Sequence, residues 1–398
     1  KNFPSKQANV EVKGCKFLNV STSAKLGGGG AIYFNSNDNS ISIRDSKFIN
    51  TVSLYDGHSI YINEANTNPI EISSCYFEDC GSIQDTYSIL VNSYKFNFLY
   101  NEVVFSDPKV SCGCVKSTEI TKHIFKGNVF RNAHIDKNTW SAGINVQKES
   151  GQIDTIELTN NTFDCITGQN EGRCFCVNTG NSIENLNINN NTIQNCPSGG
   201  ILSKIVLNPK FSSFIVQDFV FINNTFNDDA FNNNLDLSKQ ILVSFNLGQS
   251  ANLVFDHCFF INCYSAKNGG GLSCKSADFN ENVKFEFNQC KFEKNHAKEQ
   301  GSALSIITSI ECEINDCEFI KNKSDDGKGA VYIESGQQTN TSPKININNC
   351  VFDDNEGDNA GLNVNSSPDT QLSIVNNSFL NCGQTGFAVA VETSIALS

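Results

Sequence analysis

One unit of about thirty residues recurs along this 398-residue chain, and nothing else limits the possible fold so strongly. A short strand of alternating apolar residues runs into a Cys or Asn. After one intervening residue comes Phe, and two or three places on an Asn or Cys. A loop, a small residue and a second short strand complete the unit. The first half reads VKGCKFLN around Phe17, IEISSCYFEDC ending at Cys80, IELTNNTFDC around Phe163 and FEFNQCKFEKN around Phe292. The second half reads GGGAIYF from Gly28, GHSIYI from Gly57, GGGLSC from Gly269 and KGAVYI from Lys328. The copies near Phe105 and Phe221 are the poorest.

No helical period fits these segments, because the apolar residues alternate as they do in half-buried strands. Each strand is too short to be stable alone, so it must pair with its own copies. Stacked coils place equivalent strands ~4.8 Å apart and generate parallel sheets along one axis. Crossover handedness favours a right-handed coil. The expectation is an all-β, single-stranded, right-handed parallel β-helix of about thirteen coils. It is expected to form one domain over residues 1–398, an excerpt of a longer chain.

Ladder positions follow from the repeat. Phe17, Phe48, Phe77, Phe130, Phe163, Phe260, Phe292, Phe319, Phe352 and Phe379 are expected to point inward and stack on one another. The residue two earlier shares that face, which places Cys15, Cys75, Asn128, Asn161, Asn191, Cys258, Cys290, Cys317, Cys350 and Asn377 inside. An inward Asn loses hydration unless its amide is bonded, and a stack of amides at coil spacing can satisfy itself. The Gly or Ala before the second strand marks a tight corner.

The motifs GGGAI at Gly28 to Ile32, GGGL at Gly269 to Leu272 and GKGAV at Gly327 to Val331 carry a resemblance. So do FEKN, FIKN and FDDN, starting at Phe292, Phe319 and Phe352. Together they resemble the repeat of the chlamydial polymorphic outer membrane proteins, related forms of which occur in large surface proteins of trichomonads and ciliates. The resemblance spans nearly the whole chain and is strong in about half the copies. It implies surface display and adhesion. No C-terminal outer-membrane barrel accompanies it, so autotransport is not implied. High Asn, Lys, Ile and Phe, with Arg only at Arg44, Arg131 and Arg173, fit a protist source.

Net charge is −13, which repels phosphate backbones and argues against nucleic-acid partners. No apolar run is long enough to span a bilayer. Seventeen cysteines leave at least one unpaired within the chain. Most read as small inward hydrophobes; Cys80, Cys165, Cys196, Cys263 and Cys382, at corners or on loops, are better disulfide candidates. Cys112-Gly-Cys114 and Cys174-Phe-Cys176 have the spacing of alternate strand residues rather than of a zinc site. Neither a metal nor a cofactor is expected.

Eight sequons mark glycosylation candidates, at Asn19, Asn160, Asn190, Asn223, Asn322, Asn340, Asn365 and Asn376. Asn160 and Asn376 should point outward, since their neighbours point in. Parallel β-helices host polysaccharide lyases and hydrolases, whose chemistry needs paired carboxylates or a metal-bound carboxylate with a base. Here Asp56-Gly57-His58 resembles only a fragment of such a pattern, best read as a polar turn. Asp228-Asp229, Asp325-Asp326 and Asp353-Asp354 read as solvated loops. The interval from Phe221 to Phe260 is long, and the excess is placed in an inserted loop at residues 224–239. Phe226 and Phe231 in that loop, and Trp140, are the candidate partner contacts.

The reading is therefore a non-enzymatic, extracellular or cell-surface structural or adhesive protein. Its partner is a protein, a glycan or another copy met through uncapped ends. The alternatives are a carbohydrate-active β-helix enzyme and an intracellular filament or ciliary component.

Overall fold

The computed structural model describes residues 9–393 except 24–27, 36–39, 55–56, 64–67, 82–85, 107–111, 119–120, 136–140, 149–152, 169–173, 180–182, 197–202, 208–212, 218–219, 223, 227–240, 246–250, 276–282, 309–310, 326–327, 336–341 and 384–386. Trp140, Phe231, Asn223, Asn340 and most of the inserted loop lie outside the described residues. The chain forms two compact units, one of residues 1–208 and 241–244 and the other of residues 209–240 and 245–398. Each is an all-β parallel solenoid.

In the first unit three parallel sheets run side by side. Sheet 1 stacks Asn9–Lys13, Ser40–Arg44, Pro69–Ser73, Lys95–Leu99, Lys122–Lys126, Ile153–Thr159 and Ile183–Asn189. Sheet 2 is made of three-residue strands from Lys16–Leu18 to Thr192–Gln194. Sheet 3 runs from Ile32–Asn35 through Ser203–Leu207 to Ile241–Phe245. The second unit repeats the plan. Its sheet 1 runs from Ser213–Gln217 to Gln371–Val375, and its sheet 2 from Val220–Ile222 to Ser378–Leu380. Its sheet 3 runs from Leu272–Lys275 to Val389–Thr393.

Period-two alternation fixes which side is inside. In Ser40–Arg44, Ile41 and Ile43 are buried while Ser42 and Arg44 are half-exposed. A one-residue slip would exchange the two sets, so the apolar pattern locks the register. The anchor Phe residues stack face to face along sheet 2. Ring centroids are 4.8 Å apart for Phe17 and Phe48 and 4.7 Å for Phe48 and Phe77. In the second unit they are 4.7 Å for Phe260 and Phe292, 5.1 Å for Phe292 and Phe319, 4.8 Å for Phe319 and Phe352, and 4.6 Å for Phe352 and Phe379. Each buried Phe contributes roughly 1.5–3 kcal/mol. The poor copy near Phe105 has a simple explanation: the ladder position belongs to Val103, which pairs with Phe77 and Phe130, and Phe105 is buried two residues later.

Among the described residues, two left-handed residues bracket most sheet 2 strands and make the coil's corners, while Glu102–Val104 has one, Tyr100. In one coil they are Asn160 (φ 56°) and Cys165 (φ 55°), and in another Asn349 and Asp354 (both φ 54°). Asn and Asp tolerate this conformation, which explains their abundance here. A glycine is needed before sheet 3 where backbones nearly touch. A Cβ on Gly270 would lie 2.4 Å from the Ser302 carbonyl oxygen, and Gly269 has φ +65°.

Candidate functional site

Inside each unit the polar groups form continuous ladders rather than a cluster. In the first unit Asn101, Asn128, Asn161 and Asn191 follow the left-handed corner before sheet 2. Asn128 Nδ2 donates to Asn161 Oδ1 at 2.9 Å, and Asn161 Nδ2 to Asn191 Oδ1 at 3.0 Å. The same oxygens accept backbone N–H groups: Asn128 N–H at 3.0 Å from Asn161 Oδ1 and Asn161 N–H at 3.0 Å from Asn191 Oδ1. Each Nδ2 also donates to a carbonyl of the preceding coil, Asn128 to Phe98 at 2.8 Å and Asn161 to Phe125 at 2.9 Å. Every amide in the middle of the column is satisfied without water.

The second unit puts cysteine at that position. Cys258, Cys290, Cys317 and Cys350 are buried in consecutive coils and do what Asn does with weaker partners. The Cys290 N–H donates to Cys317 Sγ at 3.4 Å, and Cys317 Sγ reaches the Phe287 carbonyl at 3.5 Å and the Asn315 carbonyl at 3.3 Å.

A second inward ladder follows the other corner, three residues after the anchor. Here the second unit uses Asn: Asn295 Nδ2 donates to Asn322 Oδ1 and Asn322 Nδ2 to Asn355 Oδ1, both at 3.0 Å. Sequence inspection did not resolve this ladder, although it is the final Asn of the FxxN motif. Its recognition corrects several expectations. Asn322 is fully buried with its amide nitrogen engaged, so this fold has no room for a glycan there. Cys80, Cys196 and Cys263 stand at this corner, as expected, but are buried in it, while Cys165 and Cys382 are half-buried. Cys80 Sγ reaches the Phe48 and Glu78 carbonyls at 3.3 Å, and the Cys174 and Cys196 sulfurs are 4.0 Å apart.

The remaining candidates separate. Asn19, Asn160, Asn190 and Asn376 are exposed and sit at left-handed corners, and Asn365 is half-buried on sheet 3. Phe226 lies in the strand Thr225–Phe226, which pairs with Tyr264–Ser265. His58 lies in the bend before the strand Ile60–Asn63, as expected, but its side chain is buried. Its Nδ1 accepts the Ser53 N–H at 2.9 Å, and its Nε2 is 2.5 Å from Thr86 Oγ1. Burial lowers its pKa to about 4, so it is neutral at physiological pH. Asp353 lies in the strand Val351–Asp353, not in a loop, and Asp325 pairs with His296 at 2.9 Å. Burial raises the Cys75 thiol to about 11 and pushes Cys114, Cys274 and Cys312 up as well, which makes these sulfurs poor nucleophiles.

Among the described residues no group of three or more His, Cys, Asp or Glu is gathered as a metal site, and no helix is long and apolar enough to cross a membrane. One further row was missed in the sequence. Ser273, Ser305, Tyr332 and Asn363 are register partners on the outward side of sheet 3 in the second unit, yet they are buried. The signal was present as the polar residue between two inward apolar ones in GGGLSC, GSALSI, KGAVYI and NAGLNV. Comparisons with protein-family models, with curated proteins and with solved structures find no match to this chain.

Proposed function

We propose that this chain is a non-enzymatic structural or adhesive protein of the cell surface or extracellular space, of the kind that the polymorphic outer membrane protein repeat implies. Its coils would be right-handed, as crossover connections favour. The observation that carries this reading is the use to which its polar side chains are put. Buried Asn and Cys are consumed in bonds between coils, from Asn101 to Asn191 and from Cys258 to Cys350. Such an interior fixes the spacing of successive coils and so holds the loops between strands in set positions, which is what a display scaffold requires. Exposed sequons at Asn19, Asn160, Asn190 and Asn376 support passage through a secretory pathway. Partners would be a protein, a glycan or further copies of the chain.

A second reading, an intracellular structural component, has one observation in its favour. The ladder sulfurs contact carbonyl oxygens as reduced thiols do, for example Cys350 Sγ at 3.2 Å from the Asn348 carbonyl. The experiment that separates the two is staining of intact and permeabilised cells of the native source with an antibody raised against the purified chain. Staining of intact cells supports the surface reading. Staining only after permeabilisation supports the intracellular one.

A further inference from the structure

The two units are built differently at the corner that follows sheet 2. In the second unit the residues three after the anchor, Asn295, Asn322 and Asn355, tie each coil to the next through side-chain amides. In the first unit the same position holds Cys80, Ala133, Ile166 and Cys196, all buried, and Ala133 and Ile166 have no polar group to offer. One contact between coils at this corner joins two sulfurs. Cys196 Sγ lies 4.0 Å from the Sγ of Cys174, which stands immediately before the sheet 3 strand Phe175–Thr179 of the preceding coil. Both cysteines have an exposure of 0%.

The main chain around each is held by bonds between coils. The Cys174 carbonyl accepts the Ile144 N–H at 2.9 Å, and the Gln194 carbonyl, two residues before Cys196, accepts the Cys165 N–H at 3.0 Å. Side-chain rotation is what remains to bring the sulfurs from contact to the ~2.05 Å of a bond. The cysteine column of the second unit is a different case. Cys258, Cys290, Cys317 and Cys350 are equivalent residues of successive coils, and their parallel side chains stand about one strand spacing apart, ~4.8 Å, where a disulfide takes Cβ atoms ~3.8 Å apart. Cys174 leads into sheet 3 and Cys196 leads out of sheet 2, so no such alignment separates them.

We propose that Cys174 and Cys196 are a disulfide-forming site that cross-links two successive coils of the first unit. The inference rests on the proposed extracellular role for its oxidant, since disulfides form and persist in oxidising compartments. The bond forms while the coils close, before the sulfurs are covered. The Cys196 thiolate attacks the oxidant, a protein disulfide or a small one such as oxidised glutathione, and expels one thiol. The Cys174 thiolate then attacks Cys196 Sγ in the mixed disulfide and expels the second. Two cysteine thiols lose two protons and two electrons, and one oxidant disulfide becomes two thiols. Burial then keeps reductants from the finished bond. The two cysteines are 22 residues apart in the sequence, so the cross-link limits the freedom of the unfolded chain. It gives this corner the tie between coils that amides give the second unit.

The test is refolding of the urea-unfolded, reduced full chain in a mixture of oxidised and reduced glutathione, followed by alkylation of free thiols and peptide mapping without reduction. A peptide pair joined through Cys174 and Cys196 is expected, with fragment ions that exclude Cys176 as the linked residue. Recovery of Cys174 and Cys196 as alkylated thiols, or a bond from either to another cysteine such as the half-buried Cys165, would overturn the inference. Reduction of the linked chain should lower its urea midpoint, while Cys196→Ala keeps one midpoint with and without reductant; an equal drop in Cys196→Ala contradicts the cross-link. Should the chain not refold from urea, the same mapping of chain secreted by eukaryotic cells decides between the same outcomes. Refolding in glutathione does not depend on where the native chain resides, so this pair and the surface reading fail separately.

Discussion

The Oδ1 atom of Asn161 accepts two hydrogen bonds from Asn128, one from its amide nitrogen at 2.9 Å and one from its backbone N–H at 3.0 Å. One side-chain atom thus ties two successive coils by both side chain and main chain. Because Asn161 in turn donates to Asn191 and to the Phe125 carbonyl, each amide in the column depends on the next. Such a column is worth more than its separate pairs and is correspondingly sensitive to interruption.

Asn161→Leu therefore strands two donors of Asn128 in the core and removes one of the two hydrogen bonds to Asn191 Oδ1, which keeps the backbone N–H of residue 161. The expected loss is about 3 kcal/mol or more, read from urea denaturation of the full chain. A loss below about 1 kcal/mol would show that water replaces the amide.

The cysteine column predicts the opposite kind of tolerance. Asn and Cys already alternate within single columns: the Cys350 N–H donates to Asn377 Oδ1 at 2.8 Å, and Asn355 Nδ2 reaches Cys382 Sγ at 3.8 Å. Cys317→Asn should change stability by less than about 1 kcal/mol, because the amide takes over the sulfur's partners. Cys317→Ala leaves the Cys290 N–H unsatisfied and should cost about 1–3 kcal/mol. Parallel denaturation curves of the two variants check the order.

His58 gives the fold a pH dependence with a definite sign. Its pKa is lowered to about 4 in the folded chain and rises to 6.5 on unfolding. The unfolded state binds the extra proton, so this contribution is complete above about pH 6.5 and is lost as pH falls towards 4. The loss is on the order of 3 kcal/mol, given that one pKa unit corresponds to about 1.4 kcal/mol. His58→Gln should flatten thermal stability between pH 6.5 and 4 relative to the parent; an unchanged slope would mean that other groups carry it.

Occupancy of sequons should follow burial. Expressed through a eukaryotic secretory pathway, the folded chain is expected to carry glycans at some of Asn19, Asn160, Asn190 and Asn376 and none at Asn322. Glycopeptide mapping reads this directly, and a glycan on Asn322 in folded material would contradict the inward corner ladder.

Much of this architecture is legible in the sequence because a repeat shows each structural position many times over. The inward Phe column and the Asn and Cys before it stand out as recurring letters, and period two assigns them to one face. The second ladder was harder to read, since its Asn295, Asn322 and Asn355 resemble ordinary turn residues. Only the left-handed residue before each, such as Lys321 at φ 54°, turns the side chain inward. Val103 was missed because a shorter side chain fills the ladder position while Phe105 nearby catches the eye. The polar row from Ser273 to Asn363 was legible as a row but not as a buried one. A polar residue between two inward apolar ones signals an exposed face, and nothing in the letters reveals that the face is covered.

The most direct test of the surface assignment is peptide mapping by mass spectrometry of protein from its native source, with free thiols alkylated before reduction. Glycans are expected on one or more of Asn19, Asn160, Asn190 and Asn376 and none on Asn322, with Cys258, Cys290, Cys317 and Cys350 recovered as free thiols. Bare sequons throughout, with every cysteine reduced, would contradict a secreted or surface role and favour an intracellular structural one.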